Sequence, residues 1–130
     1  MKESQFQFKN PVVLELVFTY NESFNHEEDF FLENEFTQSI SRHETEPKAY
    51  VELELEVKSE SNTPFYLKIK QASEFVWESD IFSKDEIDQL LSINAPTILL
   101  SYMRPIVSTI TASSPLPAFN LPFIDFTSNE

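Results

Sequence analysis

The sequence predicts an α+β fold, a four-stranded antiparallel sheet followed by a short helix and a long helix packed on it. Three observations carry this expectation. Apolar residues alternate with polar ones over the first two-thirds of the chain, then recur at helical spacing, and finally crowd among prolines where no long helix can form.

The first strand is read from Val12, Leu14, Leu16, Phe18 and Tyr20, which share one face at period two. Phe6 and Phe8 extend that face provided Pro11 leaves the register unchanged. A polar, acidic loop over Asn21–Asp29 follows. Phe30, Leu32, Phe36 and Ile40 share a parity and predict a second strand ending near Arg42. The clearest alternation spans Tyr50–Lys58, with Val51, Leu53, Leu55 and Val57 on one face and Glu52, Glu54, Glu56 and Lys58 on the other. Ser59–Pro64 reads as a turn and Phe65–Gln71 as the returning strand. A hairpin about Asn62 sets Glu56 opposite Lys68 and Glu54 opposite Lys70, a favourable pairing of opposite charges.

Ser83 followed by Glu86 is a capping-box pattern, so a short helix is expected over Lys84–Ser92. Asn94 is placed to cap a second helix, with Pro96 tolerated near its start. Leu99, Tyr102, Met103, Ile106 and Ile110 form its apolar stripe, and Pro105 inside it should produce a kink. The helix should end before Pro115. Ser113–Phe126 is then expected to pack as an extended segment across the sheet or along a groove.

The 130 residues suffice for one domain, residues 1–130, with a modest core. Thirteen of them are Phe, more than so small a domain can hide, which implies an oligomer or a deliberately apolar surface. The net charge of −13 repels phosphate backbones, so nucleic-acid binding is not expected. The chain has no cysteine, which excludes disulfides and thiolate catalysis and suits the cytoplasm. It has no glycine either, which excludes phosphate-cradling loops and nucleophile elbows. Met1–Asn10 is too polar for a signal peptide, and no apolar run approaches the roughly 20 residues of a membrane span. Membrane insertion is not expected.

His26 and His43 lie near carboxylates in loops, at no spacing that matches a metal motif, and are read as solvated side chains. No residue earns a catalytic role, and no cofactor or metal is expected. The aromatic cluster Phe75, Trp77 and Phe82, followed by Leu116–Phe126, is the most suggestive feature for binding. The face carrying Glu52, Glu54 and Glu56 could alternatively dock a folded basic partner, as in an acidic adaptor or mimic protein.

The stretch Ala95–Phe126 resembles the signature region of the SecB family of export chaperones. Pro96, Ile98, Leu99, Tyr102 and Arg104 match the helix motif; Pro117, Asn120, Leu121 and Phe126 match the segment after it. FKNPVVLELVF resembles the first strand of the branch associated with Gram-positive bacteria and toxin–antitoxin systems, and PFYLKIKQASEF resembles the fourth strand and the turn after it. The resemblance implies an ATP-independent holdase for unfolded polypeptides, for export or for a dedicated antitoxin-like client, assembled as a homotetramer (a dimer of dimers) or a dimer. Carried onto this chain, it assigns client binding to Phe75, Trp77, Phe82, Leu116, Phe119, Leu121 and Phe123. It assigns the oligomer interface to Tyr102, Met103, Ile106 and Ile110. Lys68 stands where the export proteins carry an acidic residue of the SecA-docking face, and Ala72 and Ser73 replace a glycine pair. With the sequence ending at Glu130, before the family's further C-terminal helix, these departures weigh against delivery to SecA.

Overall fold

The computed structural model describes residues 2–58 and 62–127. Among the described residues are five strands and one long helical stretch: β1 (Phe6–Phe8), β2 (Val12–Tyr20), β3 (Glu33–Arg42), β4 (Lys48–Lys58) and β5 (Phe65–Trp77), then α1 (Lys84–Gln89) and α2 (Ala95–Ala112). All strand pairs are antiparallel. β3, β4 and β5 form a meander, while β1 and β2 both pair with β5 at the far edge. The four-stranded expectation holds because β1 and β2 occupy successive parts of one edge.

The expected face of that edge survives by two irregularities. Phe8 pairs with Phe75, whereas Val12 pairs with Ala72, so the Lys9–Pro11 link adds one residue. A second is added between Val13 and Glu15, leaving Leu14 as the bulged residue. The two insertions cancel in parity. Phe6, Phe8, Leu16 and Phe18 therefore share the inner face. Val12 lies on the outer one beside Ala72, contrary to the simple alternation. Ser73 steadies the first irregularity by donating its hydroxyl to the Lys9 carbonyl.

Inner-face residues of β4 and β5 form the core. Val51, Leu53, Leu55, Val57, Leu67, Ile69 and Phe75 are all fully buried, each contributing about 1.5–3 kcal/mol. β5 continues well past Gln71: Ala72 and Ser73 lie within the strand rather than in a turn. The length comes from β4, whose Lys48–Leu53 partners the Gln71–Val76 half of β5.

The helices were expected to be separate, capped at Asn94. Instead, α1 and α2 are joined by a π-helical turn over Leu90–Asn94, and Asn94 is helical with no side-chain cap bond. The Ala95 amide donates to the Leu90 carbonyl, a wider loop than the α-helical one. Pro96 cannot donate to the turn before it, and the Gln38 side chain supplies a substitute donor to the Ser92 carbonyl at 3.4 Å. The capping box forms: Ser83 Oγ accepts from the Glu86 amide at 3.1 Å, and Glu86 Oε1 accepts from the Ser83 amide at 3.0 Å.

Joined in this way, Lys84–Ala112 makes 29 continuous helical residues, long and apolar enough by composition to cross a membrane. The short runs expected from the sequence underestimated this length. Here Leu91, Leu99, Leu100, Met103 and Val107 are buried in the hydrophobic core, the setting of a core helix that passes the same test.

Candidate functional site

Among the described residues, three stretches of exposed apolar surface bear on binding. The first is the segment over residues 21–32, which must cross the end of the sheet because β2 and β3 occupy opposite edges. Asn21 ties it to the β4–β5 connection, donating through its backbone to Pro64 at 3.0 Å and through its side chain to Thr63 at 2.6 Å. Asn62, with a φ of 43°, accepts from the Asn25 amide and donates to the Asn25 carbonyl, both at 2.9 Å. Asparagine tolerates that left-handed conformation better than most residues. Phe24 is buried beneath, with the Phe30 ring edge-on at 5.2 Å. Phe31 points outward, 81% exposed. The sequence reading placed Phe30 in a strand and passed over Phe31. Both lie before β3 begins at Glu33, and both are exposed outside the core.

The second place is the C-terminal segment. Leu116, Phe119, Ile124 and Phe126 are partly buried against the core and Leu121 is buried, while Phe123 is 84% exposed. The third is the β2 edge. Val12, Val13, Leu14, Leu16 and Val17 are all exposed, and Leu16 faces Pro105, Ile106, Thr109 and Ile110 of α2 across an apolar groove of about 360 Å³.

The residues assigned to client binding do not form one groove. Phe75 is fully buried and stacked by Phe6 and Phe8, so it belongs to the core. Trp77 lies partly buried under the Arg42 guanidinium, 5.8 Å from the ring centre, and lines a shallow cavity with Phe82. Phe119 packs on Phe65, with ring centres 5.8 Å apart. Phe65 and Trp77 are the two ends of β5, separated by roughly 40 Å of extended strand. The oligomer set also divides. Met103 is fully buried, whereas Tyr102 is exposed and Ile106 and Ile110 are half-buried.

Opposite charges face one another between β4 and β5 on the outer sheet face, while Glu35 of β3 stands opposite Glu56. The expected register is present, with Glu54 opposite Lys70 and Glu56 opposite Lys68. Lys68 sits 3.1 Å from Glu15 and 3.7 Å from Glu54, and Lys58 lies 3.2 Å from Glu56. Glu56 also accepts from the Tyr66 hydroxyl at 2.7 Å. That hydroxyl first, and Lys58 second, hold the Glu56 carboxyl below the usual carboxylate range. A lowered folded value means stability complete above the ordinary range and lost as pH falls through the lowered one. In Tyr66→Phe the Glu56 carboxyl should titrate at higher pH, seen by NMR of its side-chain carbon. An unmoved titration would assign the whole effect to Lys58.

Among the described residues no cluster of His, Asp or Glu could hold a metal ion. His43 Nδ1 accepts from the Glu46 amide at 2.9 Å and the Thr45 amide at 3.2 Å, closing the β3–β4 turn.

A family model described as preprotein translocase subunit SecB matches residues 12–128. The chain belongs to the SecB family. It is similar to the protein-export protein SecB of Ehrlichia chaffeensis, 30% identical over 101 residues that make up 72% of this chain and 58% of that protein. An uncharacterized protein of Methanocaldococcus jannaschii is also 30% identical, over 92% of this chain and 78% of the relative. The chain spans about half the length of the SecB of Anaplasma phagocytophilum, 50%, again at 30% identity. Among solved structures, the Mycobacterium tuberculosis Rv1957 SecB-like chaperone, in complex with a ChAD peptide from the Rv1956 HigA1 antitoxin, superposes with a TM-score of 0.75. That match covers 92% of this chain and 91% of the other at 14% identity, a likeness of fold. The SecB family is one of chaperones, and the α+β architecture with its long C-terminal helix is the one this neighbour has.

Proposed function

We propose that this SecB-family chain is an ATP-independent holdase that binds unfolded polypeptide segments in the cytoplasm. The observation that carries the reading is the pair of outward-pointing rings, Phe31 at 81% and Phe123 at 84% exposure, on a protein whose net charge of −13 keeps such surface soluble. Trp77, Phe82 and Leu116, each partly buried, add further apolar surface. Apolar client surface leaves water, offset by the entropy of ordering the client, and many weak contacts add up along it. The mechanism needs no nucleotide and no covalent step. A dedicated antitoxin-like client is supported by the antitoxin peptide named with the tuberculosis neighbour. Lys68, engaged by Glu15 and Glu54, gives little to a SecA-docking surface.

A second copy of the chain would cover the β2 edge and the groove between Leu16, Ile106 and Ile110, with Tyr102 alongside, as a dimer or as half of a tetramer. The acidic-adaptor alternative has less support, since lysines lie close to both Glu54 and Glu56. Glu52 has Ala72 opposite it.

The test is light scattering of a chemically unfolded, aggregation-prone protein diluted into buffer without nucleotide. Suppression near stoichiometric amounts, surviving moderate salt, is the expected result. Binding that collapses with salt and ignores the client's folding state would overturn the reading in favour of a charged adaptor.

A further inference from the structure

Residues 115–126 cover apolar surface without joining any helix or strand. Pro115, Pro117 and Pro122 have no amide to donate, so the segment cannot be locked into a ladder. It is held instead from α2. Thr111 Oγ1 accepts from the Phe119 amide at 2.8 Å, and Arg104 Nη2 donates to the Pro122 carbonyl at 2.8 Å. Both contacts read backbone, so both are indifferent to sequence. Phe119 rests on Phe65 of β5 and Phe126 on Phe36 of β3, which takes the segment across the width of the inner face.

The fit is incomplete at the β3 end. A cavity of about 280 Å³ remains between Asn34, Leu53 and Phe126. Asn34 Oδ1 is buried and has no hydrogen-bond partner among the described residues. A buried acceptor left unmade is costly, and a peptide N–H would satisfy it.

We infer that residues 115–126 are a resident, displaceable ligand of the sheet's inner face. The incoming occupant is an extended, unfolded segment with apolar side chains at alternate positions. It displaces their inward-facing side chains, takes over Thr111 Oγ1 and Arg104 Nη2, and offers an N–H to Asn34 Oδ1, while the outward Phe123 ring stays available to it. The inference rests on the holdase reading and deepens it by naming the kind of segment bound.

The test uses the full chain and Phe119→Ser/Phe126→Ser, which loosens both ends of the segment. The first probe is a fluorescein-labelled synthetic peptide of residues 114–127, followed by anisotropy. Because the attached copy competes at millimolar effective concentration, the peptide should bind the variant at least about tenfold more tightly than the unaltered chain. Adding Arg104→Ala should remove that gain. Equal binding to both chains overturns the inference. The second probe is reduced, carboxymethylated α-lactalbumin, which should also bind the variant several-fold more tightly; weaker binding to the folded variant would make Phe119 and Phe126 walls of the site instead. If lactalbumin binds neither chain while the peptide behaves as expected, the holdase reading fails and the displaceable segment stands. Should the variant not fold by circular dichroism, hydrogen exchange on the unaltered chain decides: excess peptide should strip protection from the Phe119 amide, and unchanged protection overturns the inference.

Discussion

Truncating Phe75 to alanine should remove about 3–5 kcal/mol of stability, a large share of the 5–15 kcal/mol that holds an ordinary domain folded. The ring is fully buried, with Phe6 at 5.6 Å and Phe8 at 5.9 Å between ring centres. Its removal opens a cavity at the point where β1 is fastened to β5. The chain's single tryptophan, Trp77, lies two positions along the same strand, and its fluorescence reports unfolding in urea. A much lower midpoint is the expected result. An unchanged midpoint with lost polypeptide binding would return Phe75 to the client surface and contradict its packing.

The opposite behaviour is expected of Phe31→Ser combined with Phe123→Ser. Both rings lie outside the core, so the melting temperature should move by no more than about 3 °C. Affinity for an unfolded polypeptide should fall by about tenfold or more, because aromatic anchors dominate binding surfaces of this kind. Fluorescence titration with a labelled unfolded protein, run beside a thermal melt, separates the two effects. Unchanged affinity in a folded double variant would show that clients bind elsewhere.

These two variants also mark how far the sequence could be read. Alternation in β4 and β5 exposed the meander, its register and its two faces, because side chains in a half-buried strand obey period two whatever packs above them. The capping box at Ser83 was equally plain, since its two bonds are local. Phe75 was misjudged for a reason of length. Gln71, Ala72 and Ser73 break the apolar rhythm, yet each is nearly buried, and nothing local announces that β4 carries the strand onward beneath them. Asn94 and Pro96 carry the marks of a helix start, but the π turn and the Gln38 donor relieve the proline without ending the helix. The helix stripe mixed two faces, because Met103 looks into the sheet while Tyr102 and Ile106 flank the contact. The client set spreads along the sheet: Trp77 and Phe82 line a cavity at one end of β5, and Phe119 packs on Phe65 at the other. Only Phe123 among them points freely outward, between buried Leu121 and partly buried Ile124.

The strand order has a consequence for how the chain acquires its shape. β3, β4 and β5 close through short connections, but Phe6 must find Trp77 and Tyr20 must find Phe65 before the N-terminal edge exists. Loop-closure entropy penalises such distant pairings, so the meander is favoured to assemble first and the N-terminal strands to dock onto it afterwards. During synthesis those strands emerge before their partner β5, which leaves the ribosome only after β3 and β4 have followed them. Val12–Val17 thus waits as an unpaired, apolar, strand-forming segment until β5 appears. This SecB-family chain passes, in its own synthesis, through the exposed condition of an unfolded polypeptide.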